Sequence, residues 1–575
     1  MEKLKRLLKS RLILGLLVVT IFAIFRIVSY YNIFLVRDVY LQGDDAIYAM
    51  LSKRFLEGDF LHAFHPYWNS GFPIFTIPFY LITHSWEKAQ ILLSMTASVA
   101  LIFVMYFTLG RTSLVLGIIA AYVVAFSTSL EDLTLFVGLT EPLYILLLWL
   151  AIFFSWKIVQ TNQLKYYAFA GGFFGLAYLI RTDAAYTILA VFLSILLALI
   201  LGSKFHSLQD IKLNLLKILA FFLMFFLINI PYVAVISQNL SKPTISGKYG
   251  YLVAGHFFTP EKDRLTTFAH DIWSTDYPNY SSLFYDYEGV LKEYLRRRDT
   301  ILEYFPKKFN ELLSFYFNGN LFKQFEISLV LIGIIAGLVQ RKFLKFTLFL
   351  LIIWFGTFLG VANFMDTAKR YLAFSYPFLF TAIALAVLSL SNLVGKIIEG
   401  QKQKKFGKLA GLIVILIFFT IYFSVYDSFN RDGGMRNSDQ KEIGDWIKSQ
   451  NIDVIMARTE GISFYSGAKL VYVPSAPPDV IVDFAKNWGV EYILSRPHES
   501  SWPYMKAMVD PNFKHKDLKL IHSFDDGTLV WKVSLTDEEK RYNYRTGKPI
   551  EVFCRSNEWS KTDDPNLPVC PDRTY

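Results

Sequence analysis

Residues 11–36 read RLILGLLVVTIFAIFRIVSYYNIFLV, and the acidic sequence Gly43-Asp44-Asp45 follows shortly after them. About 20 apolar residues suffice to cross the hydrocarbon core of a bilayer, so this stretch predicts a first transmembrane helix. The preceding segment, MEKLKRLLKSR, carries five Lys and Arg residues, which retain that end of the helix in the cytoplasm. The acidic pair is therefore expected on the outer face. A cleaved signal peptide would be shorter and would end in small residues, unlike Tyr30-Tyr31-Asn32.

The composition is that of a polytopic membrane protein. Of 575 residues, 54% are hydrophobic and 17% aromatic, and the mean hydropathy is +0.36. A soluble domain of this size would not show these values. The net charge of +10 could suggest nucleic acid. We exclude nucleic acid as a partner because the Lys and Arg residues fall largely in short loops between apolar segments, where membrane orientation places them.

Ten further apolar runs are long enough to predict helices, which gives about eleven spans in total. The runs lie near residues 88–109, 113–129, 134–156, 165–180, 184–202, 213–236, 326–340, 343–361, 371–392 and 409–426. An odd number of spans places the N terminus inside and the C terminus outside. The predicted inside loops are all basic, as this orientation requires. They hold Arg111, Lys157, Lys165, Lys204, Lys212, Arg341, Lys342 and four lysines within 401–408.

The predicted organisation is a transmembrane domain over residues 1–426, a small extracytoplasmic α/β domain over 427–535 and a polar tail over 536–575. Two long outside loops, 37–87 and 237–325, interrupt the transmembrane domain. In the first loop, AIYAMLSKRFLEGDF has apolar residues at helical spacing, which predicts an amphipathic helix lying along the bilayer surface and beginning at the acidic pair. The second loop is rich in Tyr and Phe and predicts short helices anchored at the interface.

From residue 437 onward, amphipathic helical patterns alternate with short β-branched strands, as in KEIGDWIKSQ, DVIMA, KLVYVP, PDVIVDFAKNWGV and EYILSR. This alternation predicts the α/β domain, and LKLIHSF and TLVWKVS predict a closing hairpin. Both cysteines, Cys554 and Cys570, lie in the tail. Outside the cytoplasm they could form a disulfide that contributes roughly 3 kcal/mol. Two unpaired thiols are the alternative, because connectivity cannot be read from sequence.

The chain contains no P-loop, HExxH, GxSxG or Rossmann motif, so its chemistry must use other residues. Glu141 opens the fourth apolar span, and a carboxylate at that depth is costly unless it faces a polar cavity or a partner. Glu141 could share a cavity with the acidic pair, or it could be a helix N-terminal residue stabilised by the dipole. The remaining acidic residues at outer membrane ends are Glu131, Asp132, Asp183 and Asp366.

Three basic sites could meet a phosphate or an acidic partner. Arg181 and Asp183 lie in one tight turn, where the guanidinium suits a phosphate but could equally pair with Asp183. Lys369 and Arg370 repeat the arrangement before the tenth span. Arg26 lies well inside the first span, so we expect it to snorkel or to pair.

Four segments together resemble the GT-C superfamily of polytopic glycosyltransferases, especially the protein mannosyltransferases and lipid A aminoarabinose transferases. In that family an acidic pair in the first outside loop, Asp-Glu followed by Tyr-Ala, resembles Asp44-Asp45 followed by Tyr48-Ala49. The four segments are GDDAIYAMLSKRFLEGDFLHAFHPYWNSGFPI, TEPLYILLLWLAI, LAYLIRTDAAYTILAV and KRYLAFSYPFLF.

The resemblance implies an inverting hexosyl- or pentosyltransferase that uses a polyprenyl or dolichyl phosphate-linked sugar at the outer face of the plasma or inner membrane. It makes Asp44 the general base, with Asp45 and Glu141 as further catalytic acids, although Asp45 departs from the family's Glu. The acceptor is not identified, and membrane lipids surround the protein. The donor phosphate set that it implies is His65, Arg181, Lys369 and Arg370.

Metal dependence and the class of function stay open at the level of sequence. Metal dependence varies in the superfamily; no cofactor is implied with certainty, and a divalent cation would be held by Asp44 and Glu141. A transporter or flippase is the main competing function, and an inactive membrane scaffold that presents the α/β domain as a binding module is a third. Transporters place their sites at the midplane on interrupted helices, often with repeat symmetry, whereas the acidic residues here cluster at outer helix ends.

Overall fold

The computed structural model describes residues 2–36, 40–135, 139–201, 208–239, 243–246, 248, 298–318, 324–364, 369–398, 413, 438–473, 478–487, 489–497, 506–537 and 539. The first helices are α1 (Glu2–Val36), α2 (Asp44–Glu57), α3 (Phe60–Ala63), α4 (Gly71–Thr83), α5 (Trp86–Gly110), α6 (Leu114–Ala125), α7 (Thr128–Leu135), α8 (Glu141–Thr161), α9 (Leu164–Ile180), α10 (Ala184–Leu201) and α11 (Leu208–Asn239). Next come α12 (Arg298–Phe317), α13 (Gln324–Val339), α14 (Arg341–Phe364), the 3₁₀ helix η1 (Lys369–Ser375) and α15 (Tyr376–Ile398). The last elements are α16 (Asp439–Ser449), β1 (Val454–Ala457), α17 (Glu460–Ser466), β2 (Lys469–Tyr472), α18 (Pro478–Asn487), β3 (Tyr492–Ser495), β4 (Leu518–Ser523) and β5 (Leu529–Val533).

The chain forms two compact units. The helical unit comprises Met1–Asp38, Pro78–Pro231 and Glu303–Met435, and the mixed unit comprises Val39–Ile77, Tyr232–Leu302 and Arg436–Tyr575. The first outside loop therefore belongs to the same compact unit as the carboxy-terminal sheet. The sequence predicts domain boundaries at residues 426 and 535, which would group that loop with the helices. These domain boundaries stay a prediction.

The helices follow the predicted apolar runs closely. Six of those described are long and apolar enough to cross a membrane, or seven if α6 and α7 form one bent span, and four more are apolar but shorter. The predicted total of about eleven spans and the predicted orientation therefore stay predictions. The run at 409–426 lies outside the described residues apart from Ile413, as do Asp366, most of the aromatic segment of the second loop, most of the tail and both cysteines.

One predicted boundary is wrong. The runs near 113–129 and 134–156 suggested two continuous spans, but α6 ends at Ala125, α7 follows at an angle of 50°, and α8 begins only at Glu141. The break leaves helix-end carbonyls that need donors. The buried guanidinium of Arg26 supplies them, since it donates to the Ser127 and Val124 carbonyls.

Arg26 pairs rather than snorkels. Its Nη1 lies 2.7 Å from Oε2 of Glu131 on α7, and the Ser29 hydroxyl donates to the other oxygen of Glu131 at 2.8 Å. The Arg26 side chain is 2% exposed and that of Glu131 is 11% exposed. In so dry a setting each charge needs the other, so the pair fixes α1 against the bent helix pair.

Small residues allow close helix packing elsewhere in the helical unit. The backbone at Gly171 of α9 lies against the Phe221 carbonyl of α11, and Gly333 of α13 lies against the Ala382 carbonyl of α15. A side chain at either glycine would overlap the facing backbone. Between helices surrounded by lipid, the hydrophobic effect does not drive association, so close van der Waals contact at such interfaces stabilises the packing instead.

The carboxy-terminal part of the mixed unit is an α/β domain with helices on both faces of its sheet. Its sheet has the order β2-β1-β3-β5-β4, with β1 parallel to β2 and β3, and β5 antiparallel to β3 and β4. Helices α16 and α17 cover one face, where Ile443, Ile462 and Ile455 are buried together. Helix α18 covers the other face, where Phe484 packs with Trp531. The β4–β5 pair confirms the predicted closing hairpin.

Breaking the buried pair from one side should be costly. We expect Arg26→Met or Glu131→Leu to lower the free energy of unfolding by about 3–5 kcal/mol, because either change leaves an uncompensated buried charge. The double variant should recover a substantial part of that loss. Thermal unfolding in detergent is the measurement. Lys53→Gln is the control, since Lys53 and Glu57 form an exposed pair at 3.9 Å that should contribute less than about 1 kcal/mol. Additive losses in the double variant would contradict the pairing.

Candidate active site

The acidic pair begins a helix, as predicted, and its two members have different surroundings. Asp45 is 2% exposed, and its carboxylate accepts hydrogen bonds from the backbone amides of Gly43 at 2.9 Å and Gln42 at 3.2 Å. Asp44 is half-buried at the first position of α2. Asp45 therefore closes the turn that leads into the helix, and Asp44 is the more accessible carboxylate of the two.

Helix α2 is amphipathic, as its spacing predicts. Ile47, Leu51 and Phe55 are buried, while Leu56 is 46% exposed. The ring of Tyr48 packs edge-on against Trp68 at a centroid distance of 5.8 Å. The predicted position of this helix along the bilayer surface stays a prediction.

The segment before α2 is attached to the α/β domain. The backbone amide of Leu41 donates to the Tyr465 hydroxyl of α17 at 2.9 Å, and α2 packs on α17. Gly461 makes this close approach feasible, because a Cβ there would overlap the Leu41 carbonyl and the Gln440 side-chain oxygen. The turn bearing the acidic pair is thus held by a domain more than 400 residues further along the chain.

His65 organises its own turn. Its Nδ1 accepts from the backbone amides of Tyr67 at 3.1 Å and Trp68 at 3.2 Å, and the side chain is 1% exposed. Because Nδ1 accepts, a neutral ring carries its proton on Nε2. The Tyr232 hydroxyl donates to the carbonyls of His65 and Pro66. These contacts give His65 a structural function, and its predicted part in donor binding stays a prediction.

In the helical unit, Arg181 is shared by two carboxylates. Its Nε lies 3.0 Å from Oδ1 of Asp183, and its Nη1 lies 2.5 Å from Oε1 of Glu141. All three side chains are at most 9% exposed. Glu141 stands at the N terminus of α8, so the helix dipole stabilises it as well. The helix-terminus suggestion for Glu141 describes its surroundings, and the cavity shared with the acidic pair stays a prediction.

The second carboxylate oxygen of Glu141, Oε2, is buried and has no hydrogen-bond partner in the described parts of the chain. Asp44 and Glu141 belong to different compact units, so a cavity common to both stays a prediction. No group of three metal-ligating side chains is found among the residues that the structure describes. Metal binding by Asp44 and Glu141 likewise stays a prediction.

Tyr371 links the two basic sites that the sequence treats as separate. The guanidinium carbons of Arg181 and Arg370 each lie 5.6 Å from the centroid of its ring. The Arg181 guanidinium also lies 5.5 Å from the ring of Tyr144. Cations placed in this way are attracted by the ring quadrupole. Arg370 is half-buried, and the side chain of Lys369 lies outside the described part.

Sequence reasoning missed Tyr371 and Tyr144. Tyr371 directly follows Lys369-Arg370, and Tyr144 stands three residues after Glu141 on the same helix. Residues three apart on a helix share a face, so Tyr144 could have been found from Glu141. The contact of Tyr371 with two arginines that are 189 residues apart could not have been found from the sequence.

Comparisons with known proteins agree on one class. The family model described as dolichyl-phosphate-mannose-protein mannosyltransferase matches residues 72–232. Among solved structures, ArnT from Cupriavidus metallidurans bound to undecaprenyl phosphate aligns with a TM-score of 0.54 and 11% identity, covering 89% of this chain and 97% of that chain. The chain shares its fold with membrane glycosyltransferases of the GT-C superfamily.

A second GT-C structure has the same fold. The archaeal oligosaccharyltransferase AglB from Archaeoglobus fulgidus, in complex with an inhibitory peptide and a dolichol-phosphate, aligns with a TM-score of 0.51 and 12% identity. The alignment covers 85% of this chain and 70% of that chain. No curated protein matches this chain at a significant level. The match extends over most of the chain, so the multi-pass membrane architecture is confirmed.

The different surroundings of the acidic pair predict different effects on stability. Asp45→Ala should lower the free energy of unfolding by about 1–2 kcal/mol, because two backbone amides lose their acceptor. Asp44→Ala should change the free energy of unfolding by less than about 0.5 kcal/mol, because Asp44 contributes only a small interaction with the helix dipole. Thermal unfolding of both variants in one detergent is the measurement. Equal losses in the two variants would contradict the division between a turn-closing and an accessible carboxylate.

Proposed function

We propose that this protein is an inverting glycosyltransferase that moves a sugar from a polyprenyl or dolichyl phosphate carrier to a hydroxyl acceptor at the outer face of the membrane. The observation that carries the proposal is the pair of guanidiniums around Tyr371, beside an apolar cavity within the membrane. The matching family model is named for dolichyl-phosphate-mannose, and the two aligned structures contain undecaprenyl phosphate and dolichol-phosphate. Each supports a donor of the same chemistry here.

Arg370 is the side chain that we assign to the donor phosphate, with Lys369 beside it. Arg181 donates to two carboxylates, which occupy most of its hydrogen-bonding capacity. Arg370 is half-buried and stands at the start of η1, immediately before α15. A guanidinium is planar and presents paired donors, so it suits phosphate oxygens. Arg181 then acts mainly by positioning Tyr371 and, through it, Arg370.

An apolar cavity of about 140 Å³ begins close to η1. The Ser375 hydroxyl, at the end of η1, contacts the hydroxyl of Tyr316 and accepts from Nε1 of Trp354, and both aromatic residues line the cavity. Burial raises the pKa of Tyr316 well above its usual value, so it stays a neutral phenol. Apart from Thr347 and Thr381, the rest of the lining is apolar, and it comes from α12, α13, α14 and α15. We assign this cavity to the isoprenoid chain of the donor, whose phosphate would lie near Arg370.

Asp44 is the general base that we propose. A carboxylate oxygen of Asp44 takes the proton of the acceptor hydroxyl while the acceptor oxygen forms its bond to the anomeric carbon. The bond between that carbon and the phosphate oxygen breaks, and its electron pair leaves with the lipid phosphate. A single displacement of this kind inverts the anomeric centre. Asp45 positions Asp44 by closing the preceding turn.

Removing the base should abolish turnover. Asp44→Asn should lower sugar transfer from a lipid-linked donor by about 10²–10⁴-fold, the usual contribution of a general base. Incorporation of labelled sugar by membranes that contain the variant is the measurement. The matched control is Glu57→Gln, an exposed acid at the other end of the same helix, and it should keep full activity.

Two results would contradict the proposal. Full activity in Asp44→Asn would exclude this residue as the base. Movement of a lipid-linked sugar across proteoliposomes without glycosidic bond formation would favour a flippase instead.

Weakening the phosphate contact should affect donor binding first. Arg370→Gln should raise the KM for the lipid-linked donor by about tenfold or more, because a charge-assisted hydrogen bond is lost, and Arg370→Lys should lie between Gln and the wild type. Lys342→Gln is the control, since Lys342 is exposed. Arg181 is not suited to this test, because its removal leaves two buried carboxylates without a counter-charge. An unchanged donor KM in Arg370→Gln would refute the assignment.

A further inference from the structure

The antiparallel end of the α/β sheet presents a row of two lysines and a tyrosine. Lys532 of β5 is the register partner of Lys519 on β4 and of Tyr492 on β3. Residues paired in this way lie side by side on one face of the sheet, with Cβ atoms about 4.5–5.5 Å apart. Both lysines are exposed, and Tyr492 is half-buried. We call Lys519, Lys532 and Tyr492 the basic row.

An irregularity in β4 brings aromatic rings to the same face. The register of β4 shifts just before His522, which therefore pairs with Val530, two residues before Lys532 on β5. Residues two apart on a strand point to the same face, so His522 lies beside the basic row. Its ring stacks on Trp446 of α16 and meets Phe524 edge-on, with both centroid distances 4.5 Å. These three rings, which we call the aromatic group, are half-buried, so part of each stays accessible.

The charges of the basic row have no acidic partner. Neither lysine forms an ion pair in the described part of the chain, whereas Lys486 in the same domain pairs with Asp517 at 3.0 Å. Nζ of Lys532 lies 5.6 Å from the centroid of the Tyr492 ring. Like charges directly opposite each other on neighbouring strands destabilise a sheet. A lysine often protects an edge strand from aggregation, which accounts for Lys519 but not for Lys532 on the interior strand β5. The uncompensated charge therefore points to an anion from outside the chain.

Ammonium groups and aromatic rings on one exposed face fit an acidic glycan. The C–H bonds of a sugar ring carry partial positive charge and pack on the negative face of an aromatic ring. Ammonium groups attract the phosphate or carboxylate substituents of such a sugar. A lipid surface fits less well, because docking on a bilayer uses protruding apolar side chains. Among the described residues of the α/β domain, Ile521 is the one large apolar side chain that is exposed.

We propose that this face of the α/β domain binds a glycan that bears phosphate or carboxylate groups. The ammonium groups of the basic row contact the anionic substituent, and sugar rings pack on Tyr492 and on the aromatic group. The lysines supply affinity for charge, and the rings supply preference for a sugar over other polyanions. The binding involves neither the proposed base nor the residues assigned to the donor phosphate, so it does not depend on the proposed function.

The test measures binding of a fluorescent, phosphorylated maltohexaose to the full-length protein in detergent by fluorescence anisotropy. We expect saturable binding that weakens as the salt concentration rises, because exposed charges are screened. Absence of binding would overturn the proposal. The unlabelled competitors are phosphorylated maltohexaose, neutral maltohexaose, hexaglutamate, inorganic triphosphate and glycerol 1-phosphate, the last standing for the headgroup of an anionic lipid.

The competitors separate a glycan site from a general anion site. Phosphorylated maltohexaose should displace the probe at about tenfold lower concentration than any other competitor, because it alone combines charge with sugar rings. Equal displacement by hexaglutamate would assign the surface to an acidic peptide and overturn the glycan assignment. Equal displacement by triphosphate or glycerol 1-phosphate would overturn it as well, since charge alone would then account for the binding.

Lys519→Gln and Lys532→Gln separate binding from folding. Each variant removes one of two opposed positive charges, so it should unfold at the wild-type temperature or higher. Each should weaken glycan binding about two- to fivefold, as expected for one exposed ion pair, and the double variant should weaken it further. Lys506→Gln is the matched control, because Lys506 is exposed and lies near Met508, which packs on the opposite face of the sheet. An unaltered affinity in the double variant would overturn the proposal.

Discussion

The pairing of buried charges is the constraint on which the helical unit depends. A charge in that environment is tolerated only when a partner compensates it, and the partner must then hold a fixed place. Arg181 meets this condition with Glu141 from α8 and Asp183 from the turn before α10. The same condition joins α1 to α7 through Arg26 and Glu131. The Arg26–Glu131 pair joins helices far apart in sequence, whereas Arg181 joins the start of α8 to the turn between α9 and α10, so both fix how the helices assemble.

The compensation of Arg181 also shapes the site. With its donors directed at two carboxylates, Arg181 becomes a rigid cation against the ring of Tyr371, and Arg370 stands on the same ring. Both arginines contact this ring: Arg181 has a structural function, and Arg370 is the one that we assign to the donor. An apolar cavity lies next to the end of η1. A donor whose phosphate contacts Arg370 would therefore have space for its isoprenoid chain close by. The polar half of the substrate would therefore contact η1, and the apolar half would contact the four helices α12, α13, α14 and α15 that line the cavity.

The acidic pair shows a similar division of labour. Asp45 accepts from two backbone amides and is buried, so its carboxylate holds the turn. Asp44 remains at the start of α2, and the turn is attached to α17 of the α/β domain through Leu41, Tyr465 and Gly461. The carboxy-terminal domain is therefore part of the support of the candidate base.

The sequence by itself determined the elements that follow from local physics. The apolar runs became helices, because a chain in lipid must satisfy its backbone hydrogen bonds internally. The spacing around Ile47 gave α2, and the alternation after residue 437 gave the α/β domain. The resemblance to the GT-C superfamily came from short segments and is confirmed. Only the tertiary structure decided the partners of Arg26 and Arg181, the break after Ala125, the turn-closing part of Asp45 and the place of Tyr371. The Arg26–Glu131 pair, the Arg181–Glu141 pair and the place of Tyr371 depend on contacts between residues distant in the chain, and a local pattern carries no information about which distant charge will compensate another.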